Sequence, residues 1–131
     1  MSRTDLRISL DKPYDVVLAQ IPELLKENGF GVLTNIDVAA TLKAKLDVDF
    51  RRYTILGACN PKLAYRALSA DLDVGVLLPC NVAVYEDGGK TVVAIVDPLI
   101  SLASEGDPGL RELAAEARSK LENVITKLGS S

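Results

Sequence analysis

Histidine and tryptophan are both absent from this chain of 131 residues, and aromatic residues make up only 5% of it. The lack of histidine removes the commonest general base and the commonest zinc ligand. Positive charge is not in surplus either, since the formal net charge is −3. Binding along a nucleic-acid backbone depends on a basic surface, so no nucleic-acid partner is expected.

Long hydrophobic runs are also missing. Met1 is followed by four polar residues and by no apolar segment long enough for a signal sequence or a membrane span. A cytoplasmic protein with no membrane partner is therefore expected. The length suits one domain over residues 1–131, and the 48% hydrophobic content is typical of a folded globular protein.

Only two cysteines occur, and each lies in an apolar stretch beside an asparagine and a proline. The two stretches read Ile55-Leu56-Gly57-Ala58-Cys59-Asn60-Pro61 and Val76-Leu77-Leu78-Pro79-Cys80-Asn81-Val82. Cytosolic reductants keep most cysteine pairs open, so both residues are expected to be thiols and not a structural disulfide.

These two stretches, with Lys62 to Leu68 between them, closely resemble an uncharacterised bacterial and archaeal family, domain of unknown function 302. The resemblance extends from about Leu6 to Pro98. It implies an α+β fold with an antiparallel sheet, often dimeric, but it implies no agreed activity. Relatives are expected to carry histidine at the position of Tyr65, so a family role that needs an imidazole there is not expected for this chain.

Hydrophobic periodicity predicts five strands. Alternating apolar residues from Leu6 to Leu10 predict an edge strand. The other four are predicted at residues 30–36, 53–60, 78–84 and 92–96, with the one at 53–60 in the centre. Gly88-Gly89 predicts a hairpin turn, because a strand and not a helix follows it, which rules out a phosphate-binding loop.

Four helices are predicted, at residues 13–28, at residues 38–46, after Asn60-Pro61 and at about residues 108–128. Pro22 is expected to kink or split the first helix, because proline lacks an amide hydrogen and crowds the preceding turn. Asp37 and Asn60 are expected to cap the second and third helices through their side-chain oxygens.

Together these segments predict an α+β, two-layer domain in βαβαβαββα order, with a mostly antiparallel sheet and helices mainly on one face. The last three strands have no polar face, which is typical of strands covered on both sides. The second face is expected to be covered by another copy of the chain, in a homodimer, or by the C-terminal helix.

Cys59 and Cys80 are the first candidate site. A helix between them would return the chain beside the first strand, so the two thiols could meet as a redox pair or contribute to a soft-metal site. The alternative is that both cysteines are small hydrophobic packing residues.

Three further residues near the cysteines are ligand-binding candidates. Asn60 and Lys62 mark a helix start that could hold an anion, although Asn60 is fully explained as a cap. Asn81, beside Pro79, could line a pocket or bridge a backbone group that the proline frees. Six basic residues are also close in sequence and suggest either a solvated face or a site for a small anion: Lys43, Lys45, Arg51, Arg52, Lys62 and Arg66.

The sequence therefore predicts a non-enzymatic, dimeric module that binds a small ligand or a protein partner, with no cofactor. The alternative is a thiol-dependent redox or soft-metal-handling protein that uses Cys59 and Cys80. A hydrolase or transferase is disfavoured, because no pairing of a nucleophile with a base is visible.

Overall fold

The computed structural model describes residues 4–102 and 108–130. Its strands are β1 (Arg7–Leu10), β2 (Gly31–Asp37), β3 (Tyr53–Cys59), β4 (Cys80–Asp87) and β5 (Lys90–Ile95). Its helices are α1 (Tyr14–Glu27), α2 (Val38–Leu46), α3 (Pro61–Ala70), α4 (Pro98–Ser101) and α5 (Pro108–Ser130), and a 3₁₀ helix spans Leu72–Leu77. The predicted α+β fold is confirmed, with the 3₁₀ helix and α4 as additions.

All five strands form one antiparallel sheet in the order β1-β5-β4-β3-β2. The prediction that β1 lies at an edge is confirmed, whereas the prediction that β3 is central is wrong, because β4 occupies the centre. β4 and β5 form the predicted hairpin. Gly88 and Gly89 both have positive φ, +58° and +84°, as a tight two-residue hairpin turn requires.

Helices α1, α3 and α5 cover one face of the sheet, and the main hydrophobic core lies between them and the strands. Val17, Ile21 and Leu25 are the fully buried stripe of α1. The hydroxyls of Tyr14 in α1 and Thr54 in β3 form a buried hydrogen bond that fixes the start of the helix on the sheet.

The opposite side of the sheet is the open face. The strand register places these residues on it: Arg7, Ser9, Thr34, Ile36, Tyr53, Ile55, Gly57, Asn81, Ala83, Tyr85, Val92 and Ala94. The rings of Tyr53 and Tyr85 stack at 5.1 Å, and Arg7 donates a hydrogen bond to the Tyr85 hydroxyl at 3.3 Å. Ile55, Ala83 and Ala94 are half-buried there and Val92 is buried, whereas Asn81 is exposed, so this face combines apolar and polar side chains.

Residues 31–50, which comprise β2, α2 and the following loop, form an arm at the edge of the sheet. No side chain of the arm is buried. The carboxylate of Asp37 caps α2, as predicted, by accepting from the Ala40 amide at 2.9 Å. The arm nevertheless exposes six large apolar side chains, those of Val32, Leu33, Ile36, Leu46, Val48 and Phe50.

Two predictions about proline need correction. Pro22 was expected to kink or split α1; the split is wrong, because α1 continues through Pro22 with Ile21 and Leu25 on either side fully buried against the core. The strand predicted at residues 78–84 begins two residues later, at Cys80, because Pro79 cannot donate to a ladder; a 3₁₀ helix ends just before it, at Leu77.

None of the described helices combines the length and the apolar composition needed to cross a membrane.

Candidate functional site

The end of β3 and the start of β4 bring the two cysteine stretches together. Ala58 lies opposite Cys80 in the sheet register, so Cys59 and Cys80 are close neighbours in space. Both are free thiols, with Cys80 buried and Cys59 half-buried. Both line one cavity, together with side chains from α3 and α5 such as Leu63 and Leu113.

The cavity beside the cysteines is small and almost wholly apolar, with a volume of about 30 Å³. A water molecule needs at least roughly 10 to 15 Å³ of such space, and it also needs polar partners. An organic ligand is therefore too large for this cavity as it stands.

The Cys80 thiol is poorly suited to nucleophilic chemistry. Burial, with a smaller contribution from the neighbouring Cys59, raises the pKa of Cys80 from its ordinary value of 9.0 to about 11. A reactive cysteine requires the thiolate, and Cys80 is protonated at neutral pH. Within residues 4–102 and 108–130, no third cysteine, aspartate or glutamate joins the thiols in a group that could hold a metal.

Asn60 acts structurally as the N-cap of α3. Its side-chain oxygen Oδ1 accepts a hydrogen bond from the Leu63 amide at 3.2 Å, and Pro61 occupies the first helical position. A Cβ atom at Gly29 would lie 3.1 Å from Asn60 Nδ2, so the amide nitrogen faces Gly29. Gly29 has a φ of +82°, and glycine therefore suits both its conformation and this close approach.

Asn81 is separated from the other candidates. It follows Cys80 in β4, and successive side chains of a strand point to opposite faces. Its side chain is exposed on the open face opposite Gly57, while its carbonyl accepts from the Val96 amide at 3.0 Å. The structure therefore brings Cys59, Asn60 and Cys80 together and leaves Asn81 on the other side of the sheet.

The basic residues do not form one patch. Lys43 pairs with Asp47 at 3.1 Å within the arm. Arg51 and Arg52, beyond the arm, form ion pairs with Asp87 and Asp15 respectively. Lys62 and Arg66 lie elsewhere, in a groove between α3 and α5.

We call the groove between α3 and α5 the basic groove; it is lined by Gly29, Asn60, Pro61, Lys62, Leu63, Arg66, Glu116 and Lys120. Its volume is about 550 Å³, far larger than that of the cavity at the cysteines. Glu116 and Lys120 were not among the sequence candidates. They occupy successive turns of α5, and only the packing of α5 against α3 brings them to Lys62.

The model of the family described as domain of unknown function DUF302 matches residues 6–128. The chain belongs to the DUF302 family. The resemblance carried by the two cysteine stretches is thus confirmed, and the match continues beyond Pro98 to include most of α5.

Three chains of solved structures match this DUF302 chain. One is the crystal structure of the uncharacterized conserved protein DUF302 from Bacillus stearothermophilus, which is 31% identical over 95% of this chain and 98% of the other, with a TM-score of 0.85. No curated protein matches. Membership of the DUF302 family fixes the fold but names no activity.

Proposed function

We propose that this chain is a homodimeric binding module, in which a second copy covers the arm and the adjoining open face. The observation that carries the proposal is the arm itself. A helix of nine residues is marginal in water unless an apolar face packs against something, and α2 buries no side chain. A partner that covers Leu33, Leu46 and Phe50 would supply the missing packing.

The exposed surface area of the chain is larger than expected for a monomer, which supports a binding partner. A folded monomer of 14.0 kDa is expected to expose about 6,700 Å². This chain exposes 7652 Å², which is about 950 Å² more than that expectation. This excess is summed over the whole chain, and it is of the same order as the roughly 800 Å² that one side of a standard protein interface buries.

The charges around the arm favour a second copy as the partner. Lys43 is paired with Asp47, and Arg51 with Asp87, each at 3.1 Å. A twofold interface places the same surface on both sides, so an unbalanced charge would repel itself. The arm carries two lysines and three aspartates, a formal charge of −1, so little charge faces itself when the apolar side chains of two copies meet.

Thiol chemistry is the second candidate function, and one observation favours it: Cys59 and Cys80 are neighbours that line the same cavity. Burial of Cys80 and the raised pKa of its thiol count against it. Binding, in which neither thiol has to ionise, therefore has the stronger support.

The proposal is tested with two matched double variants. Leu33→Asp with Ile36→Asp places two charges on the arm, and Leu72→Asp with Val76→Asp places two on the exposed 3₁₀ helix. All four side chains are exposed, so circular dichroism should show a folded chain in both cases. The mass of each variant is then measured by light scattering.

The arm variant should weaken dimerisation by at least about tenfold, because buried charges at an interface are costly. The 3₁₀-helix variant should keep the mass of the unaltered chain. If the arm variant also kept that mass, the arm would not be the interface.

A further inference from the structure

The basic groove concentrates positive charge in an acidic protein. Lys62 and Arg66 lie one helical turn apart on α3, and Lys120 faces them from α5. Glu116 is the one carboxylate among the lining residues of the groove, and its Oε1 atom lies 3.5 Å from Nη1 of Arg66. The lining therefore has a formal charge of about +2, whereas the whole chain has a charge of −3.

Two of the cations are available to a ligand. Neither Lys62 nor Lys120 has an ion-pair partner within the part of the chain that the structure describes, whereas Arg66 is held by Glu116. The exposed Arg66–Glu116 pair is weak, so Arg66 can also turn to another anion.

The neutral lining adds a further hydrogen-bond donor. The Leu63 amide donates a hydrogen bond to Asn60 Oδ1, which fixes the orientation of the Asn60 side chain. Its Nδ2 atom therefore points towards Gly29, a residue that lines the groove. The start of α3 adds little itself, since Pro61 has no amide hydrogen and the Leu63 amide is already bonded. The side chains, not the helix end, therefore account for the character of the groove.

We propose that the basic groove binds a small molecule that carries a phosphate group. Lysine, arginine and an amide nitrogen are donors that suit phosphate oxygens, and a net charge near +2 suits a dianion. The volume of about 550 Å³ lies within the range of roughly 300 to 1,000 Å³ of small-molecule sites. An extended polyanion fits less well, because the remaining surface of the chain is acidic.

This inference deepens the ligand-binding part of the proposed function and uses residues separate from the arm. Its test is a titration with inorganic phosphate, up to about 10 mM, followed by ¹H–¹⁵N NMR at constant ionic strength set with chloride. Saturable shifts are expected at the Asn60 side-chain amide and at the Lys62 and Leu63 backbone amides. Acetate at the same ionic strength is the monoanion control.

Three charge variants sharpen the test. Lys62→Gln and Lys120→Gln should each weaken phosphate binding about three- to tenfold, because each removes one positive charge from the groove. Glu116→Gln should strengthen it by a similar factor, because the variant removes the competing carboxylate. Lys90→Gln is the matched control, since Lys90 is an exposed lysine at the start of β5, outside both the groove and the arm, and it should leave the affinity unchanged.

The proposal is overturned if phosphate gives only the linear, non-saturating shifts of acetate, if Glu116→Gln weakens binding, or if Lys90→Gln acts like Lys62→Gln. Failure of the phosphate titration would leave the light-scattering result on the arm unaffected. A chain that stayed monomeric would equally leave the titration interpretable.

Discussion

Folding raises the pKa of the Cys80 thiol within a pH range in which unfolding can be measured. Its pKa rises from 9.0 to about 11 on folding, chiefly because burial penalises the thiolate. Below pH 9 the thiol is protonated in both the folded and the unfolded chain. Between about pH 9 and 11 only the unfolded chain releases the proton, so the free energy of unfolding must fall as the pH rises.

We therefore expect Cys80 to lower the free energy of unfolding by up to about 3 kcal/mol between pH 9 and pH 11. Urea unfolding across this range measures the effect. Cys80→Ala should lack this part of the pH dependence, and Cys59→Ala should retain most of it. Equal pH dependence in the unaltered chain and Cys80→Ala would show that burial does not raise this pKa.

Gly57 is required for a steric reason. A Cβ atom there would lie 2.2 Å from Thr34 Oγ1 and 2.8 Å from Pro79 Cγ, and the proline ring cannot rotate away. Gly57→Ala should therefore lower the free energy of unfolding by about 1 to 3 kcal/mol, as over-packing does.

Gly31→Ala is the control for Gly57→Ala, since Gly31 also lies in a strand and a Cβ atom there meets nothing within 4 Å. Thermal or urea unfolding of both variants makes the comparison. Equal stability of the two would mean that Thr34 and Pro79 yield without cost.

At the scale of elements, local signals predicted the helix starts well. The Asp37 and Asn60 caps depend on residues within three positions, and both occur as expected. Sequence signals for helix breaks and strand starts were less reliable where tertiary packing opposed them. Pro22 lies inside an uninterrupted α1, and the apolar segment before Pro79 is a 3₁₀ helix, because tertiary contacts decided these regions.

The candidate site was also predictable only in part, because some of its residues are brought together by chain order and others only by tertiary packing. The chain order indicated that the strands carrying Cys59 and Cys80 would become neighbours, and the register places them together. Asn81 follows Cys80 directly, so the alternation of side chains along a strand places it on the opposite face, and the sequence alone could have separated the two. Lys120 joins Lys62 across more than fifty residues of sequence, through packing of α5 on α3 that no local pattern reports.

At the scale of the whole molecule, the two faces of the sheet differ in what covers them. α1, α3 and α5 cover one face, where the strand residues Leu56, Val82 and Val84 are at most 1% exposed. The other face is bounded by an arm that has no fully buried side chain. The sequence predicted that a second copy or the C-terminal helix covers the second face; α5 does not do so, because it packs on the first face with α1 and α3.

The molecular mass of the native chain in solution tests this account most directly. Sedimentation equilibrium between about 1 and 100 μM spans the affinities expected of a specific dimer. We predict a mass of twice 14.0 kDa at the higher concentrations, dissociating only on dilution. A mass of 14.0 kDa at every concentration would contradict the account, because the apolar arm would then be stable in water without a second copy.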